Sequence, residues 1–139
     1  MQDPRKLAVY AEAGELALAV YRLTRPFPVE ERFGLTQQLR RAAVSVGSNI
    51  AEGCGRKGSR ALVPFLYNSI GSANEVEFQT ELAAKLGYCE RAEIDIVLAR
   101  VLRTRRMLIR LEAAISKRER RERRPPPPST PHPPPDQPR

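Results

Sequence analysis

The segment from residue 33 to residue 53 has two separate faces when it is drawn as a helix. Its apolar side chains recur at intervals of four, three and four residues, as a buried helix face requires: Leu39, Ala43, Val46 and Ile50. A row of polar and charged side chains recurs about one helical turn apart beside it: Arg41, Ser45, Ser48, Asn49 and Glu52. A helix with two such faces contacts more than one neighbour. The pattern therefore predicts a helical bundle with a partly polar interior, or a contact between subunits.

The sequence before this segment predicts a first helix over about residues 4–23. Asp3 suits a helix N-cap and Pro4 suits the first helical position. The inner face of this helix is expected to comprise Ala11, Leu16, Ala17, Val20 and Leu23. Pro26 and Pro28 then break it. The two-faced segment forms the second helix, which ends in a glycine-rich, basic turn.

The sequence after that turn predicts two more helices. The third begins at Ser59, a good N-cap, or at Val63, because Pro64 would remove a backbone hydrogen bond from a helix that started earlier. Its seam is expected at Leu62, Leu66, Ser69, Ala73, Val76, Thr80 and Ala83, and Gly87 closes it with a left-handed cap. The fourth helix covers about residues 91–117 or beyond. Its seam comprises Ile94, Val97, Val101, Thr104, Leu108, Leu111 and Ile115, and it is widened on one side by Leu98, Leu102 and Ile109.

These elements predict the fold class. No segment alternates polar and apolar residues as a half-buried strand does. The turns between the predicted helices are short, and short turns place successive helices antiparallel. We therefore expect an all-α fold in which residues 1–117 form an antiparallel up-down-up-down four-helix bundle.

Residues 118–139 differ in composition from the rest of the chain. They begin with an Arg/Glu run to Arg124, and nine of the 13 prolines lie after it. Such a segment cannot bury enough apolar surface to offset the cost of ordering it, so we expect a disordered Arg/Pro-rich tail or polyproline II. One alternative is that the Arg/Glu run extends the fourth helix through pairs of opposite charge. The proline segment is either a ligand for a partner or dispensable.

The charge of the chain favours polyanionic partners. The formal net charge is +8. Six arginines and three acidic residues leave +3 in residues 118–139, and the other 18 basic and 13 acidic residues leave +5 in residues 1–117. The predicted bundle is therefore basic in its own right, which points to nucleic acid first. The alternative is a charged surface that serves only solubility.

The candidate nucleic-acid contacts lie in the second helix, in the turn after it and in the fourth helix: Arg40, Arg41, Arg56, Lys57, Arg60, Arg103, Arg106 and Arg110. The last three recur at i, i+3 and i+7, opposite the apolar seam of the fourth helix. Arginine suits this role because its planar fork binds phosphate with two donors. Arg40 and Arg41 have an alternative role, pairing within the chain. The chain has no Trp, so stacking on single-stranded bases is weakly supported.

The sequence offers little for catalysis. His132, the only histidine, lies in the proline-rich tail, and Cys54 and Cys89 are not part of a C-x-x-C motif. No phosphate-binding glycine loop is present. We expect no catalytic residue, no metal, no cofactor, no small-molecule substrate and no enzyme activity, and a carboxylate enzyme is the alternative. The polar residues of helices two and three are expected to form a structural layer: Ser45, Ser48, Asn49, Glu52 and Glu75. Within it, Glu52 is expected to pair with Arg40 or Arg41, or to accept hydrogen bonds from its neighbours Ser45 and Asn49.

Residues 1–5 are polar, and no apolar run approaches the roughly 18 residues of a membrane span. The chain also carries only two separated cysteines, which fits a reducing compartment. We therefore expect a cytoplasmic protein without a membrane partner.

Several blocks of the sequence resemble a known family. They are YRLT at 21–24, FGLT at 33–36, QLRRAA at 38–43, VSV at 44–46, SNIAEG at 48–53, EVE at 75–77 and LGY at 86–88. In this order they resemble the four-helix-bundle proteins encoded in intervening sequences of bacterial large-subunit (23S) ribosomal RNA genes. The resemblance implies a homopentamer that forms a barrel-shaped ring. It also implies a fold shared with the accessory proteins of diversity-generating retroelements.

Together these observations predict a non-enzymatic, oligomeric four-helix-bundle protein. Its expected ligand is nucleic acid, RNA or an RNA–DNA intermediate, bound through basic surfaces that are repeated around a ring. The alternative is an oligomeric scaffold or protein-interaction module that binds no nucleic acid.

Overall fold

The computed structural model describes residues 2–136 and contains no β-strand within that range. It comprises four α-helices: α1 (Ala8–Thr24), α2 (Leu35–Cys54), α3 (Val63–Lys85) and α4 (Arg91–Glu122). Short 3-10 segments precede or connect them at Pro4–Lys6, Val29–Glu31 and Ser59–Leu62. The prediction of four helices without strands is confirmed.

The first helix begins later than predicted. The side chain of Asp3 accepts a hydrogen bond from the backbone N–H of Arg5, but this cap serves only the 3-10 segment Pro4–Lys6. Leu7 is extended, with φ −89° and ψ 122°, so a new helix has to start after it. The predicted start of an α-helix at Pro4 is therefore wrong, whereas the predicted role of Asp3 as a cap is confirmed.

The third helix begins where its proline permits. Ser59–Leu62 forms the 3-10 segment, and α3 starts at Val63 with Pro64 in its first turn. Proline is tolerated there because the first N–H groups of a helix have no intrahelical acceptor. Of the two predicted starts, Val63 is the one observed. Gly87 follows the helix with φ +74°, which confirms the predicted left-handed cap.

Each helix packs against two others. The packed pairs are α1 with α2, α2 with α3, α3 with α4, and α1 with α4. Within residues 2–136, α1 makes no packing contact with α3, and α2 makes none with α4. The space between the four helices is filled by the predicted seams, and every predicted seam residue of α2 and α3 is buried. In α1, however, Ala11 is exposed, and the buried face comprises Val9, Glu12, Ala13, Leu16, Ala19, Val20, Leu23 and Thr24.

Polar contacts fix the neighbouring helices to one another. Ser69 of α3 donates a 2.8 Å hydrogen bond to the carbonyl of Val46 in α2. Arg105 of α4 lies 2.6 Å from the carboxylate of Glu77 in α3. A carboxylate of α1, Glu12, is joined to α4 in the same way. Arg40 of α2 donates a 2.9 Å hydrogen bond to Thr24 of α1, so each of the four packed pairs carries a specific polar link.

The fourth helix extends past its predicted boundary at Lys117. It continues to Glu122, where the ion pair between Arg118 and Glu122 supports its last turn at 3.3 Å. Residues 125–136 form neither helix nor strand and are exposed. The helix ends here because Pro125 lacks an N–H group and disfavours helical backbone in the residue before it. The alternative that the Arg/Glu run extends the fourth helix is thus the correct one for residues 118–122. The predicted tail also includes residues 137–139, which lie outside the described residues.

Candidate nucleic-acid interface

The outward face of α4 carries three of the predicted nucleic-acid contacts. Arg103, Arg106 and Arg110 are all exposed and point away from the buried seam of the helix. The side chain of Arg103 is 68% exposed and lies 3.3 Å from a carboxylate oxygen of Glu12. Arg106 and Arg110 form no ion pair with any described residue. Together with Ala99, Leu102 and Met107, these arginines line an open groove along the helix. Two of the three cations are thus free to bind an anion.

The other two arginines between residues 100 and 110 of α4 are held by neighbouring helices. Arg100 donates a 2.9 Å hydrogen bond to Glu12, and this bond raises the pKa of Arg100. Arg105 donates hydrogen bonds to Glu77 at 2.6 Å and to Asn74 at 2.9 Å. These pairs anchor α4 to α1 on one side and to α3 on the other. The three exposed arginines therefore lie on a fixed helix face, between two arginines that are already neutralised.

The turn between α2 and α3 carries the second predicted group. Arg56, Lys57 and Arg60 are exposed. Arg56 lies 3.2 Å from Glu52 and stacks over the ring of Phe65 at 5.3 Å. Lys57 and Arg60 have no ion-pair partner in the described part of the chain. The 3-10 segment that follows the turn packs on α4. The structure thus brings two further free cations to the end of the molecule where that segment meets α4.

Arg40 is separate from both groups. Its Nε donates a 2.9 Å hydrogen bond to the hydroxyl of Thr24, and its guanidinium lies 4.5 Å from the centroid of the Tyr21 ring. Both partners belong to α1, so Arg40 joins α1 to α2. The intramolecular alternative for Arg40 is the one that the structure supports.

Arg41 lies in a polar groove between α2 and α3. The groove is lined by Gln38, Arg41, Ala42, Ser45, Ser72, Glu75 and Gln79. At its floor, the hydroxyls of Ser45 and Ser72 are hydrogen-bonded to each other, which links the two helices. Asn49 donates a 2.8 Å hydrogen bond to the carbonyl of Ser45. The groove is on the side of α2 that faces α3, and α2 does not touch α4. Arg41 is therefore not part of the surface formed by the α4 arginines.

The predicted polar layer is only partly an interior feature. Ser45 and Asn49 are half-buried, and Glu75 lies at the exposed edge of the groove. Ser48 and Glu52 are exposed. Glu52 pairs with Arg56, four residues later, so the expected pairing with Arg40 or Arg41 is wrong. An i,i+4 pair of this kind forms on a helix surface without any contribution from another helix.

One charged residue that matters for the site was not predicted. Glu12 is 7% exposed, and its two carboxylate oxygens contact Arg100 and Arg103. The burial of Glu12 could have been predicted, because this residue lies three residues after Val9 and four before Leu16, on the helix face that these two define. A carboxylate at such a position requires a cationic partner from another helix.

Metal-ligating side chains and thiols are dispersed in the described part of the chain. Among residues 2–136, no three His, Cys, Asp or Glu side chains are placed to hold a metal ion together. Cys54 and Cys89 are unbonded, and burial raises the pKa of both thiols. No described helix is long and apolar enough to cross a membrane.

Comparison with solved structures gives a match to the crystal structure of a protein of unknown function from the S23 ribosomal protein family of Bacteroides thetaiotaomicron. The two chains are 24% identical, and the match has a TM-score of 0.68 over 76% of this chain and 98% of the other. At this identity the match shows a shared fold only. A comparison with curated proteins gives no significant match.

The sequence model of the 23S rRNA-intervening sequence protein family matches residues 5–110. The match begins in the segment before α1 and ends within the row of exposed arginines on α4. It therefore covers α1, α2 and α3, the first two thirds of α4, and most of the chain. The shared fold with retroelement accessory proteins stays a prediction. The chain belongs to the 23S rRNA-intervening sequence protein family.

Proposed function

We propose that this protein is a non-enzymatic, oligomeric four-helix bundle of the cytoplasm that binds nucleic acid, RNA or an RNA–DNA intermediate, through basic surfaces repeated around a ring. The observation that carries the proposal is the exposed row Arg103, Arg106 and Arg110 on a rigid helix face. Arg106 and Arg110 have no carboxylate partner among the described residues. Exposed arginines without partners at helical spacing match the repeated phosphates of a nucleic acid backbone.

Cross-helix contacts support an antiparallel up-down-up-down bundle. The N-terminal residues Leu7 and Val9 border the same surface depression as Leu111, which lies late in α4. Gly53, at the end of α2, lies against Phe65, at the start of α3. In both pairs the beginning of one helix meets the end of another. The segment after α4 is proposed to be a disordered tail that lies outside the bundle.

The exposed row predicts binding that tolerates many sequences and depends steeply on salt. Each phosphate neutralised by a basic side chain releases counterions, and log affinity then falls with log salt by about 0.9 per contact on duplex DNA. Three contacts in one chain give only weak binding. In a ring the same row is repeated in every subunit, and an extended nucleic acid that meets several subunits is bound tightly.

Exposed apolar side chains support self-association. Phe78 is 67% exposed on α3, and Leu102 and Ile109 are 41% and 51% exposed on α4. These two residues widen one side of the predicted α4 seam and are not covered within the single chain. Apolar side chains of this size are typical of subunit contacts when they are grouped on one surface. The number of subunits, five, comes from the family resemblance.

The same apolar side chains also favour the second candidate, an oligomeric scaffold that binds no nucleic acid. In that case the exposed arginines serve solubility, and subunit or protein contacts are the activity. The two candidates differ in one property, the affinity for polyanions.

The experiment is fluorescence anisotropy with labelled RNA and duplex DNA over a salt series, on the full chain and on a chain that ends at Arg124. Sedimentation velocity in the same buffers gives the oligomeric state. The proposal predicts an oligomer that binds with a steep salt dependence whether or not the tail is present. Binding that requires the tail would refute the α4 site. Absence of binding at low salt would leave the scaffold as the function.

A further inference from the structure

The basic row on α4 continues beyond the residues that match the family model. Five basic side chains lie within about 60° of one another around the helix, at 100° per residue. They form the α4 stripe: Arg103, Arg106, Arg110, Lys117 and Arg121. All five are exposed. At 1.5 Å per residue the stripe is about 27 Å long. Two of its members, Lys117 and Arg121, lie after residue 110, the last residue that the family model matches.

The α4 stripe contains no acidic residue. Between Arg110 and Lys117 the helix carries two small, exposed residues, Ala113 and Ala114. The acidic side chains in the second half of α4 lie on other sides of the helix. Glu112 accepts a 2.7 Å hydrogen bond from Ser116 and raises the pKa of Tyr67, a residue of α3. Glu122 pairs with Arg118. The charges of this half-helix are therefore separated, with a purely basic face toward solvent.

The α4 stripe also lacks aromatic side chains. Arg91–Glu122 contains no Phe, Tyr or Trp. Proteins that bind single strands add aromatic platforms, because stacking contributes about 1–3 kcal/mol per base. A stripe without them offers no stacking platform, and its cations suit the phosphate backbone.

We propose that the α4 stripe binds duplex nucleic acid in preference to a single strand. The inference rests on the proposed function and names its ligand class. A duplex carries one phosphate charge per about 1.7 Å of its axis, twice the density of either strand alone. A straight, rigid row of about 27 Å is matched by a ligand that is itself straight and rigid over that length, so neither partner is reordered on binding. The chemistry recognised is the phosphate backbone, which RNA and DNA duplexes share.

The test uses the full chain and three labelled ligands of about 20 nucleotides per strand: an RNA duplex, a DNA duplex and one RNA strand of the same sequence. Anisotropy is measured over a salt series. The variant Lys117→Ala/Arg121→Ala removes two cations of the stripe. Its matched control is Arg22→Ala/Arg25→Ala, which removes two exposed arginines at the end of α1. Neither arginine forms an ion pair with a described residue.

We expect a duplex to bind at least about tenfold more tightly than the single strand at moderate salt. The stripe variant should lower the slope of log affinity against log salt by about two per bound chain, and the control should leave the slope unchanged. A comparison of the affinities for the RNA duplex and the DNA duplex shows which of the two is the better ligand.

Two results would overturn the inference while leaving the proposed function intact. In one, the single strand binds as tightly as the duplexes. In the other, the stripe variant keeps the duplex affinity and salt slope of the unmodified chain. If none of the three ligands binds, the proposed function fails together with the inference.

Discussion

The carboxylate of Glu12, in the buried face of α1, lies 2.9 Å from Nη1 of Arg100 in α4. Arg100 is 37% exposed, so one end of this pair is shielded from water and the other is partly solvated. Replacing Arg100 by Ala leaves a buried carboxylate without its main partner, which is destabilising when that partner is not replaced. Because solvent screens Arg100, the loss is smaller than for a fully buried pair, but we expect Arg100→Ala to lower the free energy of unfolding measurably.

The matched control is Arg103→Ala, which removes a cation from the same carboxylate. Arg103 is 68% exposed and its Nε lies 3.3 Å from Glu12, so its loss should cost less than about 1 kcal/mol. Urea unfolding at one fixed protein concentration measures both variants. Equal losses for the two variants would show that the Glu12–Arg100 contact has no special role in joining α1 to α4.

Gly53 at the end of α2 marks a close approach of two helices. A Cβ atom at this position would lie 2.5 Å from Cδ1 of Leu62 and 2.8 Å from Cβ of Phe65. We expect Gly53→Ala to destabilise the protein by about 1–2 kcal/mol, since overpacking outweighs the higher helix propensity of alanine. At Gly14 a Cβ would meet nothing within 4 Å, so Gly14→Ala should stabilise by up to about 1 kcal/mol. Thermal or urea unfolding would contradict this account if Gly53→Ala were the more stable variant.

Thr104 of α4 is fully buried, and among residues 2–136 its hydroxyl has no hydrogen-bond partner. Valine has the same shape without the hydroxyl, so Thr104→Val should raise the free energy of unfolding by about 1 kcal/mol. Thr24→Val is the control. The hydroxyl of Thr24 donates to the carbonyl of Val20 and accepts from Arg40, both at 2.9 Å, so its loss should destabilise by at least about 1 kcal/mol. Changes of the same sign in the two variants would refute this reading of the two hydroxyls.

The two thiols should differ in reactivity. Burial raises the pKa of Cys54 and of Cys89 above the ordinary value of 9.0, so both are protonated at neutral pH. Cys54 is 2% exposed, whereas Cys89 is half-buried. At pH 8 we expect iodoacetamide to modify Cys89 at least about tenfold faster, because Cys54 reacts only when the structure opens. Mass spectrometry over time measures both sites, and faster modification of Cys54 would contradict its buried position.

The raised thiol pKa values also set the sign of a pH effect. Above about pH 9 the unfolded chain loses these protons before the folded chain does. The contribution of the thiols to the free energy of unfolding is therefore fully present below that pH. It is lost as the pH rises through the pKa values that the thiols have in the folded chain. Urea midpoints measured from pH 7 to pH 10 should fall at the alkaline end.

Apolar periodicity predicted the buried seams of α2 and α3 residue by residue, from Leu39 to Ile50 and from Leu62 to Ala83, because burial at helical spacing leaves a direct trace in the sequence. The partners of Glu12 and Arg40 were not predictable in the same way. Each partner lies in another helix, and one sequence does not give the rotation of two helices about each other. The start of α1 was missed because the extended backbone of Leu7 has no sequence signature.

The sequence identified individual candidate residues of the site but not which of them lie together on one surface. The spacing of Arg103, Arg106 and Arg110 placed them on the exposed face of α4, as observed. Arg40 and Arg41 could not be assigned to or excluded from that surface without knowing that α2 and α4 do not touch. The position of Arg121 became clear only when α4 was seen to continue to Glu122.

The most direct test of the central claim is the salt dependence of nucleic-acid binding by the full chain with Arg103, Arg106 and Arg110 all replaced by Ala. The account predicts weaker binding at every salt concentration and a slope of log affinity against log salt that is smaller by about three per bound chain. Arg22→Ala/Arg25→Ala should bind as the unmodified chain does. If the triple variant keeps both the affinity and the slope of the unmodified chain, α4 is not the nucleic-acid interface.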